Sequence, residues 1–118
     1  MSVNSRYESQ HSDPLKGNYV HSYHIVIENN SSETVQLLTR HWIIMDSDRN
    51  VKEVRGDGVI GEQPIISPGE SHSYSSWTPL RTAIGKMSGS YQMRKLSNHE
   101  MFDVRVPVFT LSTDDVLN

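Results

Sequence analysis

An all-β sandwich of seven or eight short antiparallel strands is the fold this sequence predicts, and three observations carry the prediction. Apolar residues alternate with polar ones instead of recurring every three or four positions. The dividers between the alternating runs are Gly, Pro, Asn and Ser, the residues of turns. Finally, 118 residues suit one domain, and 35% hydrophobic content supplies one core, with roughly two-thirds of the unfolded surface buried at this length.

The elements follow in chain order. From Tyr19 to Ile27 one face reads Tyr19, His21, Tyr23, Ile25 and Ile27, and "ENNSSE" then turns the chain. In "TVQLLTRHWIIMD", Val35, Leu37, His41, Ile43 and Met45 share one parity. Leu38, Arg40, Trp42 and Ile44 share the other, so apolar groups on both faces predict a central strand. "DSDRN" is a polar turn into the strand "VKEVR". "SPGES" (67–71) carries Pro at the second and Gly at the third position of a type II turn, which predicts another hairpin-like connection.

"GKMSGSYQM" puts Met87, Tyr91 and Met93 on one face, with Gly89 leaving room for a close neighbour. In "MFDVRVPVFTL", Phe102, Val104 and Val106 point inward while Phe109 and Leu111 fall on the opposite parity. A bulge near Pro107 restores them, and the missing N–H of Pro107 places that stretch on an edge or at the bulge. Trp42 is the candidate core aromatic.

Composition excludes several chemistries. Fourteen acidic against 11 basic residues give a net charge of −3, with no basic run beyond Arg94-Lys95, so binding to nucleic acid is not expected. With no Cys, disulfides, thiolate zinc sites and cysteine nucleophiles are ruled out. "MSVNSRYESQ" lacks the apolar core of a signal peptide and no apolar stretch approaches a membrane span, which sets the expectation of a cytoplasmic chain with no membrane insertion.

Candidate sites are few. "VRGDGVIGEQP" contains Gly56-x-Gly58-x-x-Gly61, the spacing of a dinucleotide cradle, but "EQPIISPGE" follows where a helix must start, and no acid for a ribose stands about 20 residues on. Glycines at positive φ in a loop explain the motif better, with an anion nest of loop N–H groups as the other reading. Asp46, Asp48, Asn50 and Asp57 imitate calcium-loop positions, yet Val51 stands where that loop needs Gly, which favours a solvated turn.

His21 and His24, three apart in a strand, face opposite ways, and no metal site or metal cofactor is expected; His21 and His41 are read as packing residues. Ser73, Ser75 and Ser76 beside His72 make a polar strand surface and no catalytic triad. Trp77 follows this serine-rich run at an expected loop entry, where an exposed aromatic can anchor a partner.

These residues together resemble the ApaG family of small bacterial proteins, also called CorD. The resemblance rests on "RHWIIMD" (40–46), "GDGVIGEQPIISPGE" (56–70), "YSS" (74–76), "GKMSGSYQM" (85–93) and "FDVRVPVFTL" (102–111), in the family's order. It makes the chain, 1–118, one ApaG-like domain best matched over 19–111, with little signal in 1–18 and 112–118. "RKLSNHE" lacks the Gly-containing turn that relatives often have there.

The resemblance implies an immunoglobulin- or fibronectin III-like sandwich without disulfides, a genetic link to cobalt resistance and magnesium efflux, and no catalytic set. Similar domains in F-box proteins and in a polymerase-delta-interacting protein look like protein-interaction modules. A phosphate-binding role has been suggested for the family's glycine motif, here Gly56, Gly58 and Gly61.

Two functional expectations follow. The first is a non-enzymatic module that contacts an unidentified protein through Gly56, Asp57, Gly58, Val59, Ile60 and Gly61, with Trp77 as a further contact. The second is a binder of pyrophosphate-containing nucleotides or divalent cations through the same loop, with room for weak anion or divalent-ion binding.

Overall fold

Alternation along the chain becomes eight strands: β1 (Ser2–Tyr7), β2 (Tyr19–Glu28), β3 (Val35–Asp46), β4 (Val51–Asp57), β5 (Ile65–Ile66), β6 (Ser71–Leu80), β7 (Ile84–Lys95) and β8 (Met101–Ser112). The computed structural model describes residues 1–113; the rest of the segment 112–118, expected to carry little family signal, lies outside them. Two antiparallel sheets result, one ordered β1-β2-β6 and one ordered β4-β3-β7-β8, with β5 pairing β3 beyond the end of β4. This is a β-sandwich.

Between the sheets lie Tyr23, Ile25 and Ile27 from β2, Trp42 and Ile44 from β3, Tyr74 from β6, Met87, Tyr91 and Met93 from β7, and Val106 and Leu111 from β8. His21 joins them, fully buried with its ring 5.4 Å from that of Tyr7. In β8 the pairing shifts between Val106 and Phe109, so the extra residue lies at Pro107, on an edge strand where no N–H is missed. Gly89 lies against β3: a Cβ there would sit 2.1 Å from the His41 carbonyl oxygen and 2.9 Å from the Trp42 ring.

Several expectations are corrected. In β3 the register shifts between Leu37 and Thr39, so Leu38 is an extra residue, and Val35 and Leu37 face the core together with Trp42 and Ile44. His41 therefore faces outward, opposite Arg55, with Nε2 3.8 Å from Glu53. The type II turn is present, with Gly69 at φ 80 and the Glu70 N–H donating to the Ser67 carbonyl, but it joins β5 to β6 and so carries the chain between sheets.

Residues 2–7 form an edge strand that polar "SVNSRY" did not announce. Between β7 and β8 His99, at φ 62, takes the left-handed place that glycine fills elsewhere, and the Glu100 N–H donates to the Asn98 side chain.

Candidate functional site

The glycine motif starts in a strand and ends in a hairpin. β4 pairs with β3 as far as Thr39 opposite Asp57. The bulge at Leu38 then points its carbonyl sideways, where it accepts the Gly58 N–H at 2.8 Å and the Gln63 side-chain amide at 2.9 Å. The bulge in β3 thus anchors the loop.

Within the loop the Val59 N–H donates to the Glu62 carbonyl (2.8 Å) and the Glu62 N–H to the Val59 carbonyl (3.0 Å). The central pair, Ile60 at φ 47 and Gly61 at φ 73, both have positive φ, the pattern of a type I′ turn. Gly58, at φ 63, has no room for a side chain, because a Cβ would meet the Glu62 carbonyl oxygen at 2.1 Å.

Arg40 braces the other side. Across from Gly56 in the ladder, its Nη1 donates to the carbonyls of Asp57 and Gly58, each at 3.0 Å. Its guanidinium rests on Gly56, where a Cβ would come within 2.8 Å of it. The motif's first glycine therefore accommodates an arginine, its second lets the chain pass close to the Glu62 carbonyl, and its third lies at the centre of the turn. No helix follows, as expected.

This geometry divides the loop's side chains. Val59 is 1% exposed and packs in the core, whereas Ile60 at the tip is 61% exposed. For the backbone, the amides of Gly58, Val59 and Glu62 already donate to carbonyls. Gly58→Ala is expected to cost about 2 kcal/mol or more, from the left-handed φ and the overpacked contact. Gly61→Ala, at φ 73 with nothing within 4 Å of a Cβ, is expected to cost about 1 kcal/mol. Thermal unfolding of the two variants checks this, and equal small shifts would remove the steric role given to Gly58.

Trp77 stands on the other sheet. It lies within β6, not at a loop entry, points outward opposite Ser22, and is 51% exposed with its ring 5.0 Å from the edge-on ring of His11. Ser73 and Ser75 share that outer face, and Ser75 bonds His24 at 2.8 Å, while His72 and Ser76 turn inward.

The acidic turn is closed by protein: Asp46 is buried, and its Oδ1 accepts the N–H groups of Asp48 (3.0 Å) and Asn50 (3.1 Å). That corrects the solvated reading of Asp46, though not of Asp48. Asp57 lies at the far end of β4, roughly 20 Å along an extended strand. Among the described residues no group of three His, Asp or Glu could hold a metal ion.

Similarity to known proteins gives this site its family. The family described as "ApaG domain" matches residues 9–95, which include Arg40, the bulge, the whole glycine loop and Trp77. The chain belongs to the ApaG family. Protein ApaG of Rhodospirillum centenum is 49% identical over 113 residues, covering 96% of this chain and 86% of that protein. Protein ApaG of Thiobacillus denitrificans is 47% identical, covering 100% and 92%. A crystal structure from Bordetella pertussis, described as ApaA, superposes with a TM-score of 0.91 at 43% identity, over 94% of this chain and 89% of that one.

These relatives are named for the family and not for a reaction. Among the described residues no helix of this ApaG domain is long and apolar enough to cross a membrane.

Proposed function

We propose that this ApaG domain is a non-catalytic protein-interaction module whose principal contact is the tip of the Gly56–Gly61 loop, with Trp77 as a second, separate contact. The observation that carries this reading is Ile60. A β-branched residue at positive φ is strained, and a turn of this type favours Asn-Gly at its centre. Here isoleucine holds the position and is largely exposed, so neither local backbone preference nor burial accounts for it. Strain concentrated on a solvated apolar tip, held rigid by Arg40 and the Leu38 carbonyl, is the signature of a side chain retained for contact.

The same loop is less suited to cradle a pyrophosphate, because three of its amides are already committed to carbonyls. The effect on cobalt and magnesium that the family resemblance implies would then pass through the bound protein.

Ile60→Asn tests the reading by separating stability from binding. The substitution should raise stability by about 1 kcal/mol by relieving the turn. Capture of the protein partner from a cell extract should nevertheless fall about tenfold or more, the scale of losing one central apolar anchor. Unchanged capture by a stabilised variant would refute the assignment of Ile60. Saturable binding of a pyrophosphate-containing nucleotide, lost in Gly58→Ala, would return the loop to the phosphate reading.

A further inference from the structure

At the opposite end of β4 from the glycine loop, the two sheets part to leave a cleft of about 640 Å³. It is a size that suits a small metabolite. Its apolar lining is Ile44 and Leu80, which belong to the core, with Val51 and Pro79 from the outward-facing positions of β4 and β6. The polar lining includes Lys52 from β4, across the ladder from Ile44, and Arg81 just past β6 in the other sheet, with Asn18 and Asn50.

Neither cation forms an ion pair, and neither asparagine side chain has a hydrogen-bond partner, among the described residues. The only carboxylate in the lining is Asp46, and two backbone N–H groups already occupy its Oδ1. The lining thus keeps an excess of one positive charge in a chain whose net charge is −3.

We propose that this cleft binds a small organic anion, a carboxylate or phosphate monoester with an apolar body. The anionic group is held by Lys52 and Arg81, with the asparagine amides as neutral donors. Guanidinium and ammonium donors to an anion give hydrogen bonds about twice as strong as neutral ones. The apolar body lies against Ile44 and Leu80, beside the edge strands β4 and β6, which no further strand covers. Charge and apolar surface side by side select an amphipathic ligand over either inorganic phosphate or a neutral hydrocarbon. This site is independent of the loop tip and of whatever protein binds there.

The experiment is a titration of the uniformly ¹⁵N-labelled chain with phenyl phosphate, benzoate, inorganic phosphate and benzyl alcohol, followed by amide chemical shifts. Saturable shifts at Gly17, Asn18, Lys52 and Arg81 are expected for phenyl phosphate or benzoate, with a dissociation constant of about 1 mM or below. Which of these two binds more tightly distinguishes a phosphate ester from a carboxylate. Inorganic phosphate and benzyl alcohol should each bind about tenfold more weakly, and added salt should weaken the charged probes.

Lys52→Gln combined with Arg81→Gln changes only exposed side chains, so its spectrum should remain that of the folded chain while affinity falls about tenfold or more. Equal binding by inorganic phosphate, equal binding by benzyl alcohol, undiminished affinity in the double variant, or no shift at these four amides would each overturn the proposal.

Discussion

Trp42→Ala is expected to lower the free energy of unfolding by about 3–5 kcal/mol, the scale of removing a buried large aromatic. Trp42 is 3% exposed in the middle of the central strand β3. Its indole meets the rings of Tyr91 at 5.9 Å and Phe109 at 6.2 Å near-perpendicularly, and that of Tyr23 at 5.7 Å and an interplanar angle of 63°. Such aromatic pairs contribute about 0.5–1.5 kcal/mol each beyond burial.

The backbone of β7 also lies against the ring, since a Cβ at Gly89 would be 2.9 Å from it. A rigid strand on one side and three aromatic neighbours on the other leave little scope for collapse into the space vacated, which favours the upper half of the range. A loss of this size is a large part of the roughly 5–15 kcal/mol available to a domain. Urea unfolding measures it: the midpoint should fall with little change in slope. A loss under about 1 kcal/mol would mean that the core does not close around Trp42.

Which parts of this molecule were legible in the sequence follows from how local each feature is. The faces of β2 and β7 were readable because unbroken alternation fixes which side chains go inward, and the Pro107 bulge was readable because apolar parity changes across it. The bulge at Leu38 was not. Apolar residues occur on both parities there, so Val35-Gln36-Leu37-Leu38 is compatible with two face assignments until the pairing with β7 selects one.

Everything that builds the loop site depends on that choice. The Leu38 carbonyl turned toward the loop and the placement of Arg40 across from Gly56 are facts of cross-strand register. A glycine inside a strand was the available signal of a close approach at Gly56, but its partner could not be named without the register. The strain at Ile60 was hidden similarly, because two neighbouring glycines invite positive φ for themselves and not for the isoleucine between them. β1 escaped notice because its inward-facing residues are Val3, Ser5 and Tyr7, a run too short and too polar to read as a strand face.

The buried phenols of the sandwich give the remaining large expected effect, a steep loss of stability in alkali. Tyr23, Tyr74 and Tyr91 are each held above the ordinary tyrosine pKa, first of all because burial disfavours the phenolate. For Tyr91 the neighbouring Tyr74 hydroxyl, 2.5 Å away, adds to the effect, since two phenolates cannot share that contact. Ser76 and the positive charge of Arg40 act in the opposite direction on Tyr23 without reversing it.

A group whose folded pKa is raised contributes its stability in full below the unfolded value, about 10 for tyrosine, and loses it as pH rises beyond that. Above pH 10 the unfolded chain releases protons that the folded chain retains, so Tyr74 and Tyr91 each lower stability by about 1.4 kcal/mol per pH unit, or about 3 kcal/mol per unit for the pair, with Tyr23 acting in the same direction. Unfolding curves at closely spaced pH values from 8 to 11, with phenolate absorbance followed in parallel, should show ionisation of these tyrosines coinciding with loss of the fold. Tyr91→Phe should lower the alkaline slope by about one proton, while also costing about 1 kcal/mol at neutral pH for the hydrogen bond that Tyr74 loses. Ionisation of all three near pH 10 in a chain that stays folded would show that water reaches them, and that the sandwich is less closed around Trp42 than its geometry indicates.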